Sequence, residues 1–517
     1  MPDYMFLLES RLSAEQRAAV LRMQELAIAT ESNLYLTGGA VRDLISGMPI
    51  RDLDFVTEEN PSRLAHELEK NGARIVHDDE RLRSIDLELA GDVEASLSAA
   101  RDEVYARPGV RPETRWSTVM EDLRRRDFSL NAIAISLNAA SRGLLLDPTN
   151  GLADLERREV RALSIHSFTN QPVRLLRVVR YAARMGFKIE QRTGEWMELA
   201  FERGLDKTIS PEDAGAELWD VAREEKPAVI LKAWEARGLL AAIHPQFAKR
   251  HPDYDAITRI IRAREELLSA GLRPRLVVPM LRAVLGRLKD RERRALLVKL
   301  GFRAKMVDAV TSLEGEANKL VKLLASRKAA VPADAFEILV DAPDDAVAFI
   351  LAESKNKKAV GKIKNFLHKW RPLRQALPGV EAELALLGMA RGPKFDKVIK
   401  AFFAQQLEGR ARKAEEHEKL LRKLAGIKEP PKKKVEKEKR KKLVADLSKR
   451  TPSQKPPVAE AEAPAKVATP AVAAKSAAKP AAKKAAAKKP AKKSAAKKKV
   501  PAKRSTKKSG KKKSGKR

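Results

Sequence analysis

Cysteine is absent from this 517-residue chain, which excludes disulfide frameworks, thiolate metal sites and cysteine nucleophiles. Long apolar runs are absent too: no stretch approaches the ~18 uncharged apolar residues that a membrane span needs. The opening MPDYMFLLESRL carries acids at Asp3 and Glu9 and no basic cluster, so it does not read as a secretory signal. Acidic residues are in deficit, 69 against 104 Lys plus Arg, for a formal charge of +35. The expectation is a cytoplasmic protein, without membrane contact and with an anionic partner.

The surplus charge is unevenly placed. Residues 431–517 hold 32 basic and 5 acidic residues, whereas residues 1–430 hold 72 and 64. Residues 451–517 contain no Leu, Ile, Met or aromatic residue and run in loose AAKK and AKKP units. Such a segment cannot bury enough apolar surface to offset the entropy of ordering it. Residues 427–517 are therefore expected to form a disordered arm that binds nucleic acid non-specifically, by counterion release and without base stacking. The body is different. Hydrophobic residues make up 44% of the whole chain, enough to build cores once the arm is set aside.

An amphipathic helix pattern occupies residues 1–33, followed by a strand-like Leu34-Tyr35-Leu36-Thr37, the pair Gly38-Gly39 and a helix pattern over 40–46. Further strands are expected at 53–56, 73–76, 84–89, 93–97 and 131–137. From about residue 152 the apolar spacing turns helical, as over 173–184, 217–221, 228–241 and 277–284, and helical composition continues through 405–425.

The sharpest local signal is Gly38-Gly39-Ala40-Val41-Arg42-Asp43, with twelve residues between Gly39 and Asp52-Leu53-Asp54. Two glycines between a strand and a helix allow close backbone approach and offer amides to an anion. Arg42, one turn into that helix, can bond phosphate oxygens. Asp52 and Asp54, two apart on a strand, share a face and can hold Mg²⁺, which in turn holds a triphosphate and activates a hydroxyl.

This order of elements resembles the head of the nucleotidyltransferase superfamily, in its class II branch of bacterial CCA-adding enzymes and poly(A) polymerases. Glu121-Asp122-Leu123-Arg124-Arg125-Arg126-Asp127-Phe128 is similar to the family's RRDF motif, whose ribose-recognition duty would fall on Arg126 and Asp127. Asp147-Pro148-Thr149-Asn150-Gly151-Leu152-Ala153-Asp154 resembles the turn between head and neck. Pro172-Val173-Arg174-Leu175-Leu176-Arg177 resembles the neck helix that templates the base, with Arg174 and Arg177 on one helical face.

Three departures accompany the resemblance. Asn170-Gln171 stands where the family has Glu-Asp, leaving Gln171 to face the base. Asp213 in Glu212-Asp213-Ala214-Gly215-Ala216-Glu217 replaces an arginine. Ser96 takes the position of a third metal carboxylate, with Glu94, two residues earlier on the same strand face, as its substitute.

The resemblance implies an α+β chain: a small mixed-sheet nucleotidyltransferase head over 1–150, a helical neck over 151–240, a helical body and tail over 241–426, and the disordered basic arm over 427–517. It implies Mg²⁺ as cofactor, held by Asp52 and Asp54, and ATP, CTP and RNA, above all tRNA, as partners. Gly38, Gly39, Arg42, Arg126, Asp127, Gln171, Arg174 and Arg177 would bind the nucleotide. The activity implied is addition of CCA, or part of it, to tRNA 3′ ends. Poly(A) synthesis is the alternative with the same chemistry, and silent RNA binding the alternative without it.

Overall fold

Alternating side chains explain the sheet. In β5 (Val93–Ala99) every odd residue, Val93, Ala95, Leu97 and Ala99, is buried, while Glu94, Ser96 and Ser98 face the other way. β4 (Ser84–Leu89) buries Ile85, Leu87 and Leu89 in the same manner. With β1 (Leu34–Thr37), β2 (Leu53–Thr57), β3 (Arg74–Asp79), β8 (Ala134–Ser136) and β9 (Leu145–Leu146) they form one seven-stranded sheet in the order β3-β4-β5-β2-β1-β8-β9. Only β2 and β5 run parallel; the other neighbours are antiparallel. β6 (Arg101–Val104) and β7 (Glu113–Trp116) pair as a separate hairpin. The structure, a computed structural model, is described for residues 3–107, 109–411 and 413–427. The expectation of disorder for 427–517 lies, from residue 428 on, outside the described residues.

The mixed head and helical remainder are as expected, with local differences. The first 33 residues form two helices, α1 (Tyr4–Arg11) and α2 (Ala14–Ala29), because Ser13 caps the second in a reciprocal box with Gln16. β3 runs past residue 76 to Asp79 across a register shift between Ile75 and His77, the one-residue irregularity that admits polar residues into an edge strand. The expected strand over 131–137 shrinks to Ala134–Ser136. Asn131 instead ends a short turn, its side chain committed to Arg42 and Asp127. The helical stretch 405–425 is two helices, Pro393–Leu407 and Ala414–Ala425.

α3 (Gly38–Ser46) and α4 (Pro61–Lys70) pack on the core face of the sheet with α1 and α2, burying Val41, Leu44, Leu64 and Leu68. α5 (Val119–Arg124) covers the opposite face with Val119 and Leu123. After α6 (Gly151–Arg157) and α7 (Ser167–Asn170) comes α8 (Arg174–Met185), whose Leu175, Leu176, Val178 and Val179 join the apolar cluster that begins at Leu8. That cluster continues through α9 (Gln191–Glu202) and α10 (Pro211–Arg223) as far as Leu313, and a second spans residues from Ala263 to Ala425. Sharing one core is what holds α8 rigidly against the sheet. Gly215 marks the tightest approach within it: a Cβ there would stand 2.0 Å from the Leu300 carbonyl oxygen. No helix among the described residues is long and apolar enough to cross a membrane.

Candidate active site

A cleft of about 570 Å³ opens where the β1–α3 turn, the start of β2, the hairpin loop after β6, the end of α5 and the first turns of α8 converge. Its volume is in the range of nucleotide-sized ligand pockets. Every nucleotide-binding candidate named from the sequence lines it, as do Asp52 and Asp54.

One end is built by the strand–glycine–helix turn. Thr37 lies opposite Asp54 in the β1–β2 pairing, so the turn at Gly38 falls directly over that carboxylate. Gly38 has φ +66°, and a Cβ on it would sit 3.0 Å from Asp54 Oδ2 and 3.4 Å from Arg126 Nη1. A side chain would therefore be strained by its backbone and would also crowd the site. Asp54 receives the Gly39 N–H on Oδ2 at 3.3 Å and the Ser96 hydroxyl on Oδ1 at 2.9 Å. Its carboxyl is pushed up to about 6, first by withdrawal from water and then by the charge of Asp52, with Ser96, Arg126 and Gly39 opposing. Asp52 is more open, and its nearest cation is Arg223 at 3.8 Å.

Two crowded carboxylates of this kind fit a hard divalent cation. Its charge would quench the repulsion that raises Asp54, and a carboxylate pair supplemented by substrate oxygens is a donor set that Mg²⁺ accepts. Among the described residues no set of three or more His, Cys, Asp or Glu is arranged to hold a metal. The structure does not bring Glu94 to the pair. Glu94 is on the same β5 face as Ser96, but its carboxylate pairs with Arg223 and Arg275, two guanidinium groups that occupy its oxygens. Ser96 stands opposite Asp54 in the β2–β5 register and donates to it.

The other end is a lattice of arginines and acids. α8 carries arginines at 174, 177, 180 and 184 along one side, and each meets an oxygen partner. Arg177 gives Nη1 to Asp127 at 2.9 Å and Nε to Glu217 at 2.8 Å; Arg180 gives Nε to Glu217 at 2.8 Å. Arg184 reaches Asp43 at 2.8 Å. Asp127 also accepts from the Phe128 N–H at 2.8 Å and Asn131 Nδ2 at 3.1 Å. Burial pushes Asp127 up, but Arg177 and Arg174, with the bonds from Arg177 and Asn131, outweigh it and hold the carboxyl at about 2. Arg126 braces on Asp122 through Nε and Nη2, at 3.1 and 2.9 Å, and gives Nη1 to the Asn131 carbonyl at 3.1 Å.

Arg42, expected to contact phosphate, lines the cleft as an inward-held side chain. It is buried, with Nε on Asp43 at 2.8 Å, Nη1 on Asn131 at 2.7 Å and its guanidinium 4.9 Å from the Tyr181 ring centre. It meets the cleft from beneath Gly39, its Nη2 3.5 Å from where a Cβ would be. Gln171 and Arg174 are joined to each other, Arg174 Nε donating to Gln171 Oε1 at 2.9 Å. Asp213 also lines the cleft, while Glu217, four residues on, is buried as the shared anchor of Arg177 and Arg180.

Four participants carried no assigned role from the sequence: Asn131, Glu103, Tyr105 and Arg223. Asn131 stands four residues after Asp127, a turn-like spacing that marks it in retrospect. Arg223 carries no local signal, since it reaches Glu94 across 129 positions of chain.

Residues 34–161 match the protein family described as the poly A polymerase head domain. The chain is 36% identical over 209 residues to an A-adding tRNA nucleotidyltransferase of Aquifex aeolicus, a match covering 40% of this chain and 25% of that protein. To an A-adding tRNA nucleotidyltransferase of Halalkalibacterium halodurans it is 28% identical over 434 residues, covering 82% of this chain and 96% of the other. The chain thus spans only about a quarter of the first relative but nearly all of the second. Among solved structures, a Thermotoga maritima CCA-adding enzyme complexed with tRNA aligns at 21% identity over 82% of this chain and 99% of that one, with a TM-score of 0.43.

Proposed function

The chain belongs to the class II nucleotidyltransferase family through its poly A polymerase-type head, and we propose that it adds CCA, or the terminal A alone, to tRNA 3′ ends without a template, using CTP and ATP. The observation that carries this reading is the Asp52–Asp54 pair directly under the Gly38-Gly39 turn, at one end of a cleft whose other end is lined with arginines. The names of the Aquifex and Halalkalibacterium relatives favour A addition.

The amides at the start of α3 and the neighbouring guanidinium groups bind the triphosphate. Asp52 and Asp54 would hold Mg²⁺, which would supply positive charge to acidify the RNA 3′-hydroxyl and to offset charge on the pyrophosphate leaving group. Arg126 and Asp127 flank the ribose, where a donor and an acceptor together recognise a 2′-hydroxyl. Gln171 and Arg174 meet the base edge, and Arg177 keeps Asp127 ionised and aimed. The division into head (1–150), neck (151–240), and body with tail (241–426) gives the helical segments the tRNA, held through shape and phosphates. The arm over 427–517 adds salt-sensitive, non-specific affinity in a cytoplasmic protein.

The test supplies each NTP singly with tRNA transcripts ending before CCA, after C and after CC, and with an unrelated RNA. One to three defined additions on tRNA support the proposal, and addition of A only after CC narrows it to A addition. Long A tracts on any RNA indicate poly(A) synthesis. RNA binding without incorporation, equal for wild type and the Asp52→Ala/Asp54→Ala double variant, replaces the enzyme with a binding protein.

A further inference from the structure

The pair that would read the base is itself held from behind. On β6 the Glu103 carboxylate accepts Arg125 Nη1 at 2.7 Å and Arg101 Nε at 3.1 Å on one oxygen, and the Tyr105 hydroxyl at 2.6 Å on the other. Burial pushes Glu103 up, but the charges of Arg125 and Arg101 and the bond from Tyr105 hold it below the usual carboxylate range. An ionised carboxylate has no proton to give, so the phenol must be the donor. With its proton committed, the phenol oxygen can only accept, and it does so from Gln171 Nε2 at 2.6 Å. From the other side Arg174 Nε, which can only donate, meets Gln171 Oε1 at 2.9 Å, while Arg174 Nη1 is taken by Ser167 Oγ at 2.9 Å. Reversing the Gln171 amide would oppose N–H to N–H at Arg174 and oxygen to a phenol oxygen whose proton is already directed to Glu103.

We propose that Tyr105, anchored on Glu103, is a positioning residue that sets the direction of the Gln171 amide and thereby the base preference of the cleft. The spare lone pair of Gln171 Oε1 and the remaining N–H groups of Arg174 then present an acceptor beside donors. That edge complements an exocyclic amino group next to an unprotonated ring nitrogen, as in adenine and cytosine. Guanine and uracil offer a carbonyl next to a ring N–H, the reverse order, and are refused. The inference rests on the transferase reading, and it assigns the choice of base to residues 66 positions apart that meet across the head and neck.

The test measures kcat and KM for all four NTPs with the full-length protein and a tRNA transcript lacking its 3′ end, comparing wild type with Tyr105→Phe and Glu103→Gln. In Tyr105→Phe the preference for ATP or CTP over GTP and UTP falls about tenfold, chiefly through KM for the favoured nucleotide, with kcat within about threefold. Glu103→Gln, whose amide can donate to the phenol and release its proton toward Gln171, lowers the preference in the same direction. Tyr105→Phe lowers the preference no further in a protein already carrying Gln171→Ala, since Tyr105 acts only through that amide. Unchanged preference in an active Tyr105→Phe protein, or an equal loss for all four nucleotides, overturns the inference and leaves the transferase reading intact. Should Tyr105→Phe not fold, Glu103→Gln decides by the same ratio. A wild-type protein that incorporates no nucleotide on any RNA overturns both.

Discussion

Asp54 and Asp127 line the same cleft and are both drawn out of water, yet they lie on opposite sides of the ordinary carboxylate range. Asp127 is held at about 2 because Arg177 and Arg174 face it and Asn131 bonds it. Asp54 stands at about 6 because withdrawal from water and the charge of Asp52 outweigh the bonds from Ser96 and Gly39 and the charge of Arg126. Asp127 is satisfied by the protein alone, its charge matched by Arg177. The Asp54 end is an incomplete electrostatic arrangement that a cation would finish. Buried charges that are paired serve the fold, and those left crowded mark where the chemistry needs something from outside.

Substitution at each carboxylate is the most direct way to break this contrast. Asp54→Asn is expected to lower kcat for nucleotide incorporation by roughly three orders of magnitude, because it would remove one of the two carboxylates proposed to hold Mg²⁺. The same change raises the melting temperature of the metal-free protein at pH 7.5 by about 1–3 °C, because it removes a charge that is held out of water and repelled by Asp52. A lower melting temperature for Asp54→Asn would mean that the site is already balanced without a cation. Asp127→Ala should behave oppositely, costing about 3 kcal/mol in urea denaturation as Arg177, Asn131 and the Phe128 amide lose their acceptor. Stability equal to wild type would show that Glu217 alone suffices for Arg177.

The smallest expected effect is in the pH dependence, and it sharpens the contrast. Asp54 binds its proton more tightly folded than unfolded, so its ionisation opposes folding, and stability is regained as pH falls from about 7 through 6. Asp127 binds its proton less tightly folded, so its contribution stands above the unfolded value near 4 and is lost only as pH drops toward 2. Between pH 5 and 7.5, therefore, the melting-temperature gap between wild type and Asp54→Asn should narrow on acidification. Saturating Mg²⁺ at pH 7.5 should close the same gap by stabilising only the wild type. A gap that ignores both pH and Mg²⁺ would remove Asp54 from the cation site.

How much of this was legible beforehand follows from chain distance. The alternation of strand, glycine pair, helix and strand is a local pattern, and so Gly38, Gly39, Asp52 and Asp54 could be assigned to one end of a site before any packing was known. Arg42 was legible as a site residue but not as a buried one, because its direction depends on Asn131 and Tyr181, which approach from elsewhere in the chain. Glu94 was placed on the correct strand face, yet its engagement by Arg223 and Arg275 comes from residues 129 and 181 positions away. The two extra helical breaks and the shortened β8 depend on caps and side-chain bonds that periodicity does not register.

The sequence by itself determined the chemistry on offer: two carboxylates two residues apart, a glycine turn before them and a row of arginines at helical spacing. Those relations are set by covalent spacing and by the geometry of strand and helix, which any folded context preserves. Only the tertiary structure decided which charges were neutralised and which were left over. Ion pairing and desolvation depend on what lies within a few ångströms, and around this cleft several decisive pairs, Arg177 with Asp127, Tyr105 with Gln171 and Arg184 with Asp43, are 50 to 141 residues apart.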